Sequence, residues 1–211
     1  MFIELIDCLR CTADHRYIAL VASISRRDER QVVEGLLGCP TCRREYPIRN
    51  GVAWFGTSPE SESQELESPG TGAESGPDQA MRVGAFLNVT EGATIALVGA
   101  WAACATDLAE LVALRVFAIN PTVAITESDR VATVRSDKVL PFRGVSLRGI
   151  AIDESGWSDD QIEAASRSLA TAGRMLAPVS SRIPSGIDEI ARDGSWWIGE
   201  KRGPLVALHR R

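Results

Sequence analysis

Two cysteine pairs, Cys8-Leu9-Arg10-Cys11 and Cys39-Pro40-Thr41-Cys42, carry the clearest chemistry in the chain. A C-x-x-C turn aims two thiolates at one point, so two such turns supply the four soft ligands of a closed, structural Zn²⁺ site. That argues for architecture and against a zinc-catalysed reaction. The pairs are separated by 27 residues, against a usual spacer of about 15–20, and the excess is read as an insertion. The alternatives are two disulfides or four unrelated core cysteines. His15 offers a further donor, but with four thiolates present it reads as a surface loop residue.

Composition supports metal over disulfides. The 211 residues are 45% hydrophobic and 24% charged, ordinary for a globular protein with one medium and one small domain. No apolar run approaches the roughly 18–20 residues of a membrane span, and no signal-type segment precedes Cys8. The expectation is a cytoplasmic protein, whose reducing setting keeps thiols free for metal. The formal charge of −5 is unevenly spread: residues 57–80 hold 6 acidic and no basic groups, whereas 1–56 carry 8 basic against 7 acidic and 81–211 carry 15 against 15. Neither folded part has a nucleic-acid binder's basic excess. A local patch at Arg26, Arg27 and Arg30 leaves an RNA-contacting ribbon as a minor alternative.

Three segments follow. Residues 1–56 read as a small β-rich zinc ribbon, with 1–6 and 17–22 as strands and 25–34 as a helical or looped insertion. Residues 57–78 are Ser, Glu, Pro and Gly with a single Leu66, a flexible acidic linker by composition. Residues 79–211 alternate helix and strand patterns. A helix is expected over 79–88, a buried strand over 93–98 and an apolar helix over 101–114. Further strands are expected at 116–119, 131–134, 147–152 and 174–179. Ser158 and Gln161 form a capping-box pattern for a helix that Gly173 would end. A short helix from Ser185 and a hairpin of 195–199 with 205–209 complete the chain. Together these describe an α/β fold: a β-rich ribbon plus a doubly wound, Rossmann-like sheet ending in an antiparallel hairpin.

The string Cys39-Pro40-Thr41-Cys42 followed by Glu45-Tyr46-Pro47-Ile48-Arg49-Asn50-Gly51-Val52 resembles the zinc-ribbon family of tRNA-methyltransferase activators. The resemblance implies a small subunit that docks on and activates class I methyltransferases. The second half is similar to the S-adenosylmethionine-dependent methyltransferase fold through its element order, Val131 to Phe142, and Leu169 to Leu176. Against that family's G-x-G-x-G turn only Gly99 matches; Trp101 and Ala103 take the next two positions, and an indole there would fill the space the methionine moiety needs. Asn120 stands where the family has the acid that grips both ribose hydroxyls. Asp137 matches the acid near the adenine, and Asp153 ends the fourth strand. Residues 121–130 are too few for a crossover helix. Cys104 reads as core, His209 as structural, and one of Trp196 and Trp197 as a contact surface.

The resulting expectation is a non-catalytic, zinc-binding pseudo-methyltransferase with S-adenosylmethionine binding disfavoured. It would serve as a binding or assembly subunit with protein partners. The rival expectation is an active S-adenosylmethionine-dependent methyltransferase with an atypical cofactor loop.

Overall fold

The computed structural model describes residues 1–13, 15, 18–56, 76–137, 139–154 and 156–203. Most of the expected acidic linker, the strand at 205–209 and His209 lie outside them. The strands are β1 (Val21–Asp28), β2 (Gln31–Gly38), β3 (Glu45–Arg49), β4 (Val52–Phe55), β5 (Thr94–Val98), β6 (Arg115–Ile119), β7 (Val131–Ser136), β8 (Leu147–Ala151), β9 (Leu169–Pro178), β10 (Ile187–Arg192) and β11 (Trp196–Lys201). The α-helices are α1 (Pro77–Leu87), α2 (Ala105–Val112) and α3 (Asp159–Ser166).

The eleven strands among the described residues belong to one sheet, in the order β1-β2-β3-β4-β7-β6-β5-β8-β9-β11-β10. The ribbon strands β1–β4 pair antiparallel, the block β7-β6-β5-β8-β9 is parallel, and β9-β11-β10 is antiparallel. Ribbon and block meet at β4 and β7, which run parallel with Ala53 opposite Val134 and Phe55 opposite Ser136. The ribbon therefore packs on the second half within the same chain.

Burial follows this construction. β5 is buried along its whole length, as a central strand covered on both faces should be. One face carries α1 and α2 over Ile95, Leu97, Val116 and Ala118. The opposite face carries α3 beside the ribbon, so that Leu5, Leu9, Ile48 and Phe55 share one apolar cluster with Phe117, Phe142, Ile150 and Ile162. Over β6 and β7 this cover comes from the N-terminal segment and the 139–146 loop. Phe142 packs on Phe117 at 4.9 Å between ring centroids, and Leu9 bridges Phe142. β6 and β7 are joined without a helix, as the shortness of 121–130 requires.

Several local expectations change. Residues 3–8 form a 3₁₀ helix rather than a strand, because Leu5 and Ile6 are both buried, a spacing that an extended chain would split across two faces. The insertion at 25–34 is the outer part of the β1–β2 hairpin, turning at Glu29 with φ 49°. Val32 and Leu37 point into the core while β1 stays largely exposed. The capping box of Ser158 and Gln161 is present, but α3 stops at Ser166 and Gly173 lies inside β9. There the ladder with β8 is shifted between Leu147 and Gly149, and a Cβ on Gly173 would come within 2.8 Å of the Ala170 carbonyl oxygen. The expected helix at Ser185 is instead the approach to β10, which pairs antiparallel with β11; the expected pairing of 195–199 with 205–209 falls outside the described residues.

Candidate metal centre and the edge beside it

Cys11, His15, Cys39 and Cys42 bring one donor atom each to within 4.8 Å of one another. The Sγ atoms of Cys11 and Cys42 are 3.6 Å apart, and Cys39 Sγ lies 3.4 Å from His15 Nε2. A zinc tetrahedron with legs of about 2.1–2.3 Å has edges of about 3.4–3.8 Å; these two separations match such edges, and the remaining donor pairs lie within 4.8 Å. Cys8 is not among the four. It ends the 3₁₀ helix, its carbonyl accepts the Arg143 N–H at 2.9 Å, and its side chain packs on the apolar cluster. Burial pushes its thiol above the usual range. The structure thus assembles three of the four expected cysteines and brings in His15, which sequence spacing left as a loop residue.

The second knuckle follows β2, and Arg43, at φ 59°, donates its N–H back to the Cys39 carbonyl at 2.9 Å. Burial works against the Cys39 thiolate. The backbone N–H groups of Cys42 and Thr41 and the sulfurs of Cys42 and Cys11 outweigh it and bring the thiol down to about 6. Tyr46, buried and stacked on Phe55 at 4.5 Å, places its hydroxyl 3.1 Å from Cys11 Sγ and accepts the Thr12 N–H at 3.0 Å. This brace fixes the Cys11 sulfur, the role that outer partners play around metal ligands. Its trace in the sequence was the Tyr46-Pro47-Ile48 string, without its purpose.

The carboxyl ends of the parallel strands, where open α/β sheets hold ligands, are occupied by the chain's own groups. Gly99 follows β5 at φ 62°; a Cβ there would overlap the Asp153 carboxylate, whose Oδ2 accepts the Ala100 N–H at 2.6 Å. Asn120, at φ 46° after β6, donates from Nδ2 to the Ser136 carbonyl at 2.5 Å. Its Oδ1 accepts the Ser136 N–H at 2.8 Å. The carboxamide thus extends the β6–β7 ladder by one rung. Asp137 is exposed, and its carboxylate lies against Gly56, the residue after the ribbon's last strand. Trp101 is half-buried and meets Trp196 edge-on at 5.0 Å, so its indole packs toward β11. Trp197 is the fully buried member of its pair. Cys104 is buried and pushed up to about 11 by that burial, an inert core thiol.

Residues 3–51 match the family of Trm112p-like proteins. No match is found among curated proteins. Among solved structures the chain is similar to a geranyl diphosphate methyltransferase in complex with GPP and sinefungin, at 19% identity over 47% of this chain and 44% of that one, with a TM-score of 0.40. It is also similar to a candidate S-adenosyl-L-methionine-dependent methyltransferase from Methanococcus maripaludis, at 13% identity over 63% and 87% of the two chains, TM-score 0.48. A third is the complex of the Haloferax volcanii Trm112 methyltransferase activator with a candidate methyltransferase, at 22% identity over 48% and 50%, TM-score 0.41. The chain spans under half the length of the geranyl diphosphate enzyme. The second half of the sheet has a central parallel block and an antiparallel β9-β11-β10 end. Among the described residues no helix is long and apolar enough to cross a membrane.

Proposed function

We propose that this chain is a zinc-stabilised, methyltransferase-shaped binding subunit that performs no methyl transfer of its own and works with protein partners. In this reading Zn²⁺ sits between Cys11, His15, Cys39 and Cys42, replacing the set with Cys8 that the two C-x-x-C pairs suggested. Three thiolates and an imidazole with no open position leave the ion a structural role. The observation that carries the absence of turnover is the Asp153 carboxylate seated over Gly99 and bonded to the Ala100 N–H. A cofactor approaching that turn meets a carboxylate where it needs bare backbone. The Asn120–Ser136 rung supports the same reading, since both polar atoms of the carboxamide are engaged.

Titration calorimetry with S-adenosylmethionine and S-adenosylhomocysteine tests this. No heat of binding at about 1 mM ligand, a free-energy scale near −4 kcal/mol, is the expected result. Binding in the micromolar range would overturn it. The sheet order favours one second reading, an active S-adenosylmethionine-dependent methyltransferase whose Asp153 moves aside when the cofactor enters; that reading requires the micromolar result. Affinity purification at native abundance addresses the assembly role, which predicts a stoichiometric protein partner.

A further inference from the structure

A cavity of about 470 Å³ opens beyond the carboxyl ends of β8 and β9, above the start of α3. Asp153, Glu154 and Asp159 line it together with Trp157, Ile162 and Pro178. Asp153 is 8% exposed, Ile162 and Pro178 are buried, and Trp157 is half-buried. Among the described residues no lysine or arginine lines this space. Arg182 extends along its outer side, where its backbone N–H donates to Asp159 Oδ1 at 2.8 Å and its guanidinium stands 4.0 Å from Asp160.

The geometry points to a binding site for an organic cation with an apolar arm, an alkylammonium group of the lysine or polyamine type. Glu154 and Asp159 at the mouth, with Asp153 held against the Ala100 N–H at the inner end, concentrate negative potential in this concave space and disfavour anions. The Trp157 indole among the lining residues adds cation–π attraction, and Ile162 with Pro178 gives the methylene arm an apolar wall. A bare metal ion is a poor fit: among the described residues, only the cysteine–histidine group brings three or more donor atoms within 4.8 Å of one another. Carboxylates spread around about 470 Å³ suit a ligand that fills volume as well as neutralising charge. The inference shares Asp153 with the function proposed above, but cofactor binding and amine binding are measured by separate titrations and fail separately.

The test is calorimetric and fluorescence titration of the full chain, purified in the presence of zinc, with n-butylammonium chloride, and with sodium butyrate as the charge-reversed control. Saturable binding of the ammonium with none of the carboxylate is expected. The double variant Glu154→Gln, Asp159→Asn keeps hydrogen-bonding capacity at both positions and should weaken the ammonium about tenfold, consistent with the loss of two partly solvated charge contacts. Trp157→Leu should weaken it by several-fold and remove the fluorescence response, whereas Trp157→Phe should retain most of the binding. Spermidine outcompeting an acetylated lysine tripeptide amide assigns a free polyamine, and the reverse order assigns a protein lysine. Equal binding of butylammonium and butyrate, no saturation by any amine, or unchanged affinity in a folded Glu154→Gln, Asp159→Asn variant would overturn the site.

Discussion

Ala53 of the ribbon lies opposite Val134 of the parallel block in a parallel ladder, so that β4 and β7 are neighbouring strands of one sheet. Around that seam the N-terminal segment, Phe55, Phe117 and Phe142 share a single apolar cluster. The Met1 α-ammonium pairs with Glu127 at 2.9 Å, and Glu127 also accepts from Gln31 Nε2 at 3.0 Å. The ribbon thus covers the face of β6 and β7 that crossover helices cover in ordinary doubly wound folds.

This sharing makes metal removal a global event. A ribbon of about 55 residues buries little apolar surface of its own, and structural zinc contributes of order 10 kcal/mol in small modules. Chelation should lower the melting temperature of the whole chain. Far-UV circular dichroism and the fluorescence of Trp101, Trp196 and Trp197 should then lose signal in one coincident transition. Two separated transitions, with tryptophan fluorescence of the second half untouched by chelator, would show that the seam does not couple the halves.

The ligand set makes a sharper prediction. Cys8→Ser should retain one zinc per chain, whereas His15→Ala, Cys39→Ser and Cys42→Ser should each release metal more readily. Colorimetric chelator competition reads the difference, and losing one of four ligands should accelerate release by at least about tenfold. Normal zinc retention in His15→Ala together with loss in Cys8→Ser would restore the set of four cysteines.

In the metal-free protein, Cys39 and Cys104 should titrate at opposite ends of the scale, at about 6 and about 11. The folded value of Cys39 lies below its ordinary value of 9.0. Its contribution to stability is therefore complete above pH 9 and is lost as pH falls toward 6. Alkylation of the folded apo-protein followed by peptide mass spectrometry should find Cys39 modified with a midpoint near pH 6, and Cys104 untouched through pH 9. A Cys39 midpoint near 9 would contradict the N–H groups of Thr41 and Cys42 as its stabilisers.

The sequence revealed the parallel block well, since 93–98, 116–119 and 131–134 are apolar runs of strand length bounded by Gly99 and Asn120-Pro121, and all three are strands. It misled where the signal is non-local. The 25–34 insertion carries charge on exposed faces, and its hairpin pairing is set by contacts of Val32 and Leu37 with a core drawn from both halves. The metal group shows the same limit. The spacing of Cys8 and Cys11 satisfies a knuckle pattern, but Cys8 is held away by Leu9 and Arg143, whose partners lie more than a hundred residues apart in sequence. Asn120 was legible as a missing charge, while its rung to Ser136 depended on β7 being its neighbour.

Asn120→Asp is the substitution that separates a degraded cofactor site from a rebuilt strand end. It restores the acid that the methyltransferase resemblance expects, so a cleft lacking only that charge should gain affinity for S-adenosylmethionine. The observed geometry predicts the opposite. The new carboxylate can still accept the Ser136 N–H, now at 2.8 Å from Asn120 Oδ1, but its second oxygen would face the Ser136 carbonyl that Nδ2 satisfies at present. A lost donor and two opposed oxygens at a half-buried position should cost about 1–3 kcal/mol in urea denaturation. That loss should be larger at pH 8 than at pH 4, where a protonated aspartic acid can donate to the carbonyl again. Unchanged stability together with new micromolar binding of S-adenosylmethionine would mean that the rung is incidental and that only a charge separates this edge from a working cofactor site.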